Sequence, residues 1–142
     1  MQERFPIPWV CVEQAWAFVV NDANRRRLVR CAFAEGVLRK ETNGLTRDEA
    51  RAMARWVASL PDRQPAEGWF KRGRVRFDLP WAVMDGYRCF FVRDGVFRRL
   101  ASIAFRDEPE VSGRRNALTR DEARDLAVWI ADSPRRFLGL PY

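Results

Sequence analysis

Hydrophobic and polar residues alternate in two short runs near the start of the chain, on either side of a polar break. Val10 and Val12 lie in the first run, and Phe18 and Val20 lie in the second. Alternation with a period of two is typical of half-buried β-strands. A third strand is predicted over residues 26–33. The pattern therefore indicates a three-stranded antiparallel meander.

A helix is predicted after the meander. Thr46 and Glu49 have the spacing of a capping box, in which each side chain binds a free backbone N–H of the first turn. Apolar residues then recur at i, i+3, i+4 and i+7, which gives one stripe for the sheet. These residues are Ala50, Met53, Ala54 and Val57. Leu45 precedes the cap as a hydrophobic staple, and Pro61 is predicted to end the helix.

The same pattern occurs a second time. Residues 4–33 match residues 76–105 at an offset of 72, with 12 identities in 30 positions. Residues 43–63 match residues 116–136 at an offset of 73, with 13 identities in 21. This similarity is too high to arise by chance, so the sequence predicts a tandem duplication.

The second copy has its own boundary residues. Thr119 and Glu122 repeat the capping box, and Pro134 is predicted to end the second helix. Asp-Gly pairs at 85–86 and 94–95 lie at the two breaks between strands, where such pairs favour tight hairpin turns. The third strand of this copy is predicted over residues 98–105.

The predicted fold class is therefore α+β, a tandem repeat of a β-β-β-α unit. The first repeat spans residues 1–63, a basic aromatic connector spans 64–75, and the second repeat spans 76–142. A unit of about 60 residues buries a marginal core alone, so the two units are expected to pack as a pseudo-twofold pair. Two separate units on a flexible linker are the alternative, which Trp69 and Phe70 in the connector disfavour.

The repeated motifs resemble a family of small, single-repeat proteobacterial proteins. The shared pattern is Arg-Phe-x-x-Pro-Trp, which begins at Arg4 and Arg76, followed by Leu-Thr-Arg-Asp-Glu-Ala-Arg, which begins at Leu45 and Leu118. The second copy is the closer match, since the first departs after its third strand. Such proteins carry no assigned function, so the resemblance implies no active-site residues. The element order also resembles ethylene-response-factor domains and the arm-binding domains of tyrosine recombinases, which place a sheet in the DNA major groove.

The residues available for chemistry argue against catalysis. The chain has no histidine and three cysteines, which excludes Ser-His and Cys-His nucleophiles and leaves one chain short of four Cys and His ligands for zinc. The three thiols are expected to be free and buried. The acids common to both copies lie at a predicted turn and in the first helical turns, where capping and dipole effects explain them. We expect no enzyme activity, metal or cofactor.

The charge points to a binding protein. The formal net charge is +7, and 24 of the 26 basic residues are arginine, which binds phosphate and carboxylate in a bidentate manner and stacks on aromatic rings. A GC-rich genome would also produce this bias. The candidate contact residues lie near predicted turns, in the connector and on the first helix. They are Trp16, Arg25, Arg26, Arg27, Arg47, Arg51, Arg55, Trp69, Lys71, Arg72, Arg74, Arg98, Arg99, Arg114 and Arg115.

Two partner classes remain open. Nucleic acid is slightly favoured, because the basic charge and the β-β-β-α order point the same way. The alternative is an acidic or nucleic-acid-binding protein surface, bound by an inhibitor or adaptor such as a phage-encoded anti-defence protein. No run of about 18 apolar residues and no leader peptide is seen, so a cytoplasmic bacterial or phage protein without membrane contact is expected, as a monomer or simple homodimer.

Overall fold

The computed structural model describes residues 5–35, 44–62, 70–71, 74–75, 77–106 and 118–138. These residues form an α+β fold, as the sequence predicts. The strands are β1 (Val10–Gln14), β2 (Ala17–Asn21), β3 (Arg27–Ala32), β4 (Phe70–Lys71), β5 (Arg74–Val75), β6 (Ala82–Gly86), β7 (Cys89–Arg93) and β8 (Arg99–Ala104). The helices are α1 (Arg47–Ser59), α2 (Arg120–Ala131) and α3 (Ser133–Leu138), with a 3₁₀ turn at Leu60–Asp62.

Six of the strands form one antiparallel sheet, in the order β1-β2-β3-β8-β7-β6. Two meanders therefore meet at β3 and β8, where Arg30 lies opposite Ser102. The strands β4 and β5 form a separate two-stranded hairpin within the predicted connector, which the sequence pattern does not indicate. The predicted third strands are confirmed to within one residue at each end.

The core lies between one face of the sheet and the helices. α1 packs mainly on β2 and β3, and α2 packs on β6, β7 and β8. Trp9, Trp56 and Trp81 are buried in this core, while Trp129 is half-buried against it. The indole rings of Trp9 and Trp129 meet edge to face, with centroids 5.7 Å apart. A single hydrophobic cluster thus joins both helices to all six strands.

The helix boundaries follow the sequence pattern closely. Both capping boxes are present: the Thr46 side chain accepts from Glu49 N–H, and the Thr119 side chain accepts from Glu122 N–H. Pro61 lies in the 3₁₀ turn that follows α1. Pro134 follows the end of α2 at Ala131, as predicted, and it lies in the first turn of the further helix α3, which the sequence pattern does not indicate. Proline suits the first turn of a helix, where its missing N–H is not needed.

One predicted Asp-Gly pair lies in its turn, since Asp94 and Gly95 fall between β7 and β8, and the other lies slightly away from its turn. Gly86 is the last residue of β6, and the turn itself is formed by Tyr87 and Arg88. Arg88 and Phe97 have φ values of 54° and 68°, so non-glycine residues occupy the left-handed region at both turns of this meander. None of the helices in the described residues is long and apolar enough to cross a membrane.

Candidate nucleic-acid interface

Strand pairing divides the side chains of the six-stranded sheet between two faces. Residues directly opposite one another on neighbouring strands share a face, and successive residues along a strand alternate. Phe18 lies opposite Cys31, and Phe90 lies opposite Ile103. All four are part of the core that α1 and α2 cover. The alternate residues therefore lie on the side of the sheet away from these helices.

We name this side the arginine face. Its central row crosses all six strands, from Val12 through Val19, Arg30, Ser102 and Phe91 to Met84. Rows above and below complete the face with Val10, Gln14, Ala17, Asn21, Arg27, Ala32, Ala82, Gly86, Cys89, Arg93, Arg99 and Ala104. Four of these strand residues are arginines, and none is aspartate or glutamate.

The arginines of this face lie along the sheet surface. The Nη2 atom of Arg27 on β3 lies 3.4 Å from Oε1 of Gln14 on β1. Its side chain therefore crosses β2, which lies between these strands. Arg27 and Arg99 are exposed, and Arg30 and Arg93 are half-buried. The long aliphatic stems cover apolar strand positions while the charged ends reach solvent.

Two of the arginines stack on phenylalanine rings. The guanidinium carbon of Arg99 lies 4.0 Å from the ring centroid of Phe91, and that of Arg93 lies 4.2 Å from the ring centroid of Phe97. Phe97 is 69% exposed at the turn before β8. The Nε atom of Arg93 is buried and has no hydrogen-bond partner among the described residues. The face thus combines cations with exposed aromatic surface.

Acidic groups lie elsewhere in the described part of the chain. Asp48 and Glu49 lie in the first turn of α1, and Asp121 and Glu122 lie in the first turn of α2. Glu13, on β1, belongs to the helix side of the sheet and contacts Arg47. Among the described strand residues, therefore, the arginines of the arginine face share it with no aspartate or glutamate.

Two of the predicted contact residues, Arg26 and Arg98, have structural ion pairs. Arg98 Nε donates to Asp94 at 3.0 Å, and its Nη1 donates to Glu49 at 2.8 Å. Arg26 makes the corresponding contacts with Asp22 and Glu122, each at 3.3 Å. Each arginine therefore links the turn of its own meander to the helix of the other. This arrangement leaves them less available to a partner than Arg27 and Arg99.

These ion pairs make stability sensitive to acid. Burial alone would raise the pKa of Glu49, but the Thr46 N–H and the Arg98 guanidinium outweigh it and lower that pKa. The pKa of Glu122 is lowered in the same way, by Thr119 and Arg26. A carboxylate with a lowered pKa stabilises the fold above its unfolded pKa, and this stabilisation is lost as the pH falls through the folded value.

We therefore expect the double variant Glu49→Gln, Glu122→Gln to be less stable than the native chain at pH 7, and the difference to shrink between about pH 5 and pH 3. Urea unfolding of both proteins at several pH values measures this. The exposed Asp78→Asn, which lies outside the helices, serves as control, with little change expected. A difference between the double variant and the native chain that stays constant down to pH 3 would contradict the assignment.

Trp16 and Arg25 lie at exposed turns of the first meander. Trp16 is 56% exposed and its ring packs on Phe33, with centroids 5.8 Å apart. Both Trp16 and Arg25 have a φ of 63°, which is unfavourable for residues other than glycine. The two residues lie in different turns. Trp16 lies in the turn between β1 and β2, and Arg25 lies in the turn between β2 and β3.

The predicted row on the first helix lies on the other side of the sheet. Arg47 and Arg51 lie over the ring of Phe18, a core residue, at 5.6 Å and 5.8 Å. Arg47 also pairs with Glu13 at 2.6 Å, and Arg55 is exposed on the same helix. The structure therefore does not bring these three arginines together with those of the sheet.

The remaining candidates lie wholly or partly outside the described residues. Trp69, Arg72, Arg114 and Arg115 fall there completely. Lys71 and Arg74 are described only as backbone positions that pair in the β4–β5 hairpin. Their part in an interface stays a prediction.

Sequence reasoning missed two arginines of the face, Arg30 and Arg93. Both lie inside strands, where the sequence search favoured turns and clusters of basic residues. Arg30 stands between Val29 and Cys31, two core residues, at the alternate position of the strand. The signal that could have identified Arg30 is an arginine at the position where the alternation of a buried strand leaves the core.

The cysteines are free thiols. Cys31 is fully buried, and burial raises its pKa, so it is a protonated core residue. Cys11 and Cys89 are half-buried rather than buried, which corrects the expectation for these two. In the described residues, no group of three or more cysteine or acidic side chains is arranged to hold a metal ion.

Comparison with known proteins finds no relative of this chain. No protein-family model, no curated protein and no solved structure matches the chain.

Proposed function

We propose that this protein is a non-catalytic nucleic-acid-binding protein that contacts the phosphate backbone through the arginine face. The observation that carries the proposal is the segregation of charge across the sheet: Arg27, Arg30, Arg93 and Arg99 lie on one face, and no acidic strand residue lies with them. Phosphate contacts by arginine supply most of the affinity of sequence-independent binding.

The size of the sheet favours backbone contact over groove insertion. Six strands at a spacing of about 4.8 Å give a sheet roughly 24 Å wide. The major groove of B-DNA is about 12 Å wide, which admits a helix or a two-stranded ribbon. A six-stranded sheet is too wide to enter it flat. The face therefore lies across phosphates, in contrast with the three-stranded domains that the element order resembles.

The pair formed by Arg93 and Phe97 favours nucleic acid over an acidic protein surface. Phe97 exposes most of its ring beside Arg93, whereas Phe91 is buried under Arg99. An exposed aromatic ring next to a cation binds an unpaired base by stacking while the cation holds the backbone. An acidic protein surface would use the arginines but would gain less from this ring.

We also propose that the face is built by two β-β-β-α units related by a pseudo-twofold axis. Arg30 and Ser102 are 72 residues apart, the offset of the sequence match, and they pair directly. The ion pairs Arg26–Glu122 and Arg98–Glu49 are reciprocal at the offsets of 72 and 73. Such reciprocity is characteristic of a twofold arrangement. The centres of the two meanders lie about three strand spacings apart, roughly 14 Å. Successive major grooves of B-DNA are roughly 34 Å apart, so the two units are too close together to contact one groove each.

A salt series with random-sequence duplex DNA tests the function. If the four arginines each neutralise one phosphate, the logarithm of the association constant should fall with the logarithm of salt concentration with a slope of about −3.6. Fluorescence anisotropy of a labelled duplex at several salt concentrations measures the slope.

Absence of binding at the lowest salt concentration, where the affinity should be greatest, would overturn the nucleic-acid proposal. A pull-down that then yields one stoichiometric acidic protein would establish the second partner class.

A further inference from the structure

The exposed ring of Phe97 is held beside the arginine face by Arg93. Phe97 is 69% exposed in the turn between β7 and β8, and the guanidinium carbon of Arg93 lies 4.2 Å from its ring centroid. The Nη1 atom of Arg93 donates to the backbone carbonyl oxygen of Asp94 at 3.0 Å, which fixes the guanidinium over one face of the ring. No second ring or cation contact of Phe97 occurs among the described residues, so the other face of the ring is open to a ligand.

The fold does not require this pair. Arg25 stands at the position of Phe97 at the offset of 72, and the two residues have φ values of 63° and 68°. Asn21 likewise stands at the position of Arg93. The same left-handed turn therefore forms in the first meander without the aromatic ring and without the arginine beside it. The pair is an addition to the second meander, and a role in ligand binding accounts for it.

The arginines next to Phe97 form a line into the centre of the face. Arg99 lies directly opposite Arg93 on the neighbouring strand, and its guanidinium lies over the ring of Phe91. Phe91 belongs to the central row, in which Arg30 lies two strands away. Three arginines of the face thus follow one another from the turn to the centre of the sheet. The backbone of a single strand that crosses β7 and β8 meets them in succession.

We infer that Phe97 is a base-stacking residue and that the partner of the arginine face is single-stranded nucleic acid. One unpaired base stacks on the open face of the ring, while the phosphates next to it contact Arg93 and Arg99. The bases of a duplex are stacked inside the helix and do not present their faces, so a duplex gains only the phosphate contacts. This inference rests on the proposed function and deepens it, since it names the form of nucleic acid that the face binds most tightly.

The first experiment separates base stacking from phosphate contact. Fluorescence anisotropy compares a labelled oligothymidine with an abasic oligomer of the same length, which keeps the phosphates and lacks the bases. We expect the native chain to bind the oligothymidine about tenfold more tightly than the abasic oligomer, because one stacked base contributes on this scale. In Phe97→Leu, the affinities for the two oligomers should become nearly equal. The fold is retained in this variant, since the ring it removes is mostly exposed.

Two control variants test the position and the nature of the ring. Trp16 is also exposed in a turn, at a φ of 63°, but its ring packs on Phe33, which contacts the core residue Phe18. Trp16→Leu should therefore bind both oligomers as the native chain does. Phe97→Tyr keeps an aromatic ring and should preserve the preference for oligothymidine.

The second experiment is a salt series with the oligothymidine. Phe97→Leu should lower the affinity by the same factor at every salt concentration and leave the slope unchanged, because it removes no phosphate contact. A slope that becomes shallower by about one phosphate contact would show that the variant disturbs the arginines and not a stacked base, and would overturn the inference.

The outcomes distinguish this inference from the proposed function. If the native chain binds the two oligomers equally well, or if Phe97→Leu keeps the preference, the stacking role of Phe97 is overturned while phosphate binding by the arginine face stands. If Trp16→Leu loses the preference to the same extent as Phe97→Leu, the assignment to Phe97 is overturned as well. If neither oligomer nor duplex binds at the lowest salt concentration, the proposed function fails, and the inference fails with it.

Discussion

The double variant Arg30→Glu, Arg99→Glu is expected to bind duplex DNA about a hundredfold more weakly than the native chain at low salt. Both side chains lie on the arginine face, one in the central row and one stacked on Phe91. Each change removes a phosphate contact and places a negative charge against the backbone, so loss and repulsion add. Anisotropy titrations at fixed ionic strength measure the effect.

A matched control changes the charge by the same amount elsewhere. Arg55 and Arg124 are exposed on α1 and α2, on the opposite side of the sheet. Arg55→Glu, Arg124→Glu should lower the affinity only several-fold, through the overall field of the protein. Equal losses in the two double variants would place the interface on the helix layer, or show that only net charge matters, and would contradict the assignment to the arginine face.

The variant Asp94→Ala is expected to lower the free energy of unfolding by about 3 kcal/mol, which corresponds to a midpoint about 10 °C lower. Asp94 is fully buried. Its Oδ1 accepts the N–H groups of Val96 and Arg98, and its Oδ2 accepts Nε of Arg98. Without the carboxylate, two backbone donors and a half-buried guanidinium lose their acceptor. Thermal and urea unfolding measure the loss.

Two other aspartates calibrate this result. Asp22→Ala removes the equivalent turn contacts in the first meander, although its bond to Arg26 Nε is longer, at 3.3 Å. Its effect should be large but somewhat smaller. Asp78→Ala removes an exposed charge and should cost less than about 0.5 kcal/mol. An Asp94→Ala variant as stable as Asp78→Ala would refute the structural role of the turn network.

The elements with strong local determinants could be predicted from sequence. The capping boxes fix the first turns of α1 and α2 through side-chain bonds within four residues. The third strands follow from apolar alternation. The Asp-Gly pair at 94–95 lies in the connection between β7 and β8, but the pair at 85–86 precedes its turn, which is formed by Tyr87 and Arg88. The left-handed positions hold Arg88 and Phe97 rather than glycine, so the glycines of these pairs do not identify them.

The site depended on contacts that a single sequence does not specify. Val10 and Val12 look like core residues by alternation, yet both are exposed on the arginine face, because β1 is an outer strand and Cys11 is the residue packed against the core. Arg26 and Arg27 are adjacent in sequence, but one forms ion pairs and the other lies on the sheet surface. Only the pairing of β3 with β8 determines which arginines share a face.

Arg30 pairs with Ser102 at the centre of the sheet, so the two central positions hold different residues. In an assembly of two identical chains, each repeating the first unit, the central pair would be arginine opposite arginine, and like charges directly opposite are destabilising. In the proposed two-unit arrangement, joining both units in one polypeptide allows the two central positions to differ. Here Ser102 Oγ donates to the Arg30 carbonyl oxygen at 3.3 Å, and the central pair contains only one guanidinium group. A single chain can therefore place different residues at the centre of the sheet, whereas two identical subunits would place the same residue there twice.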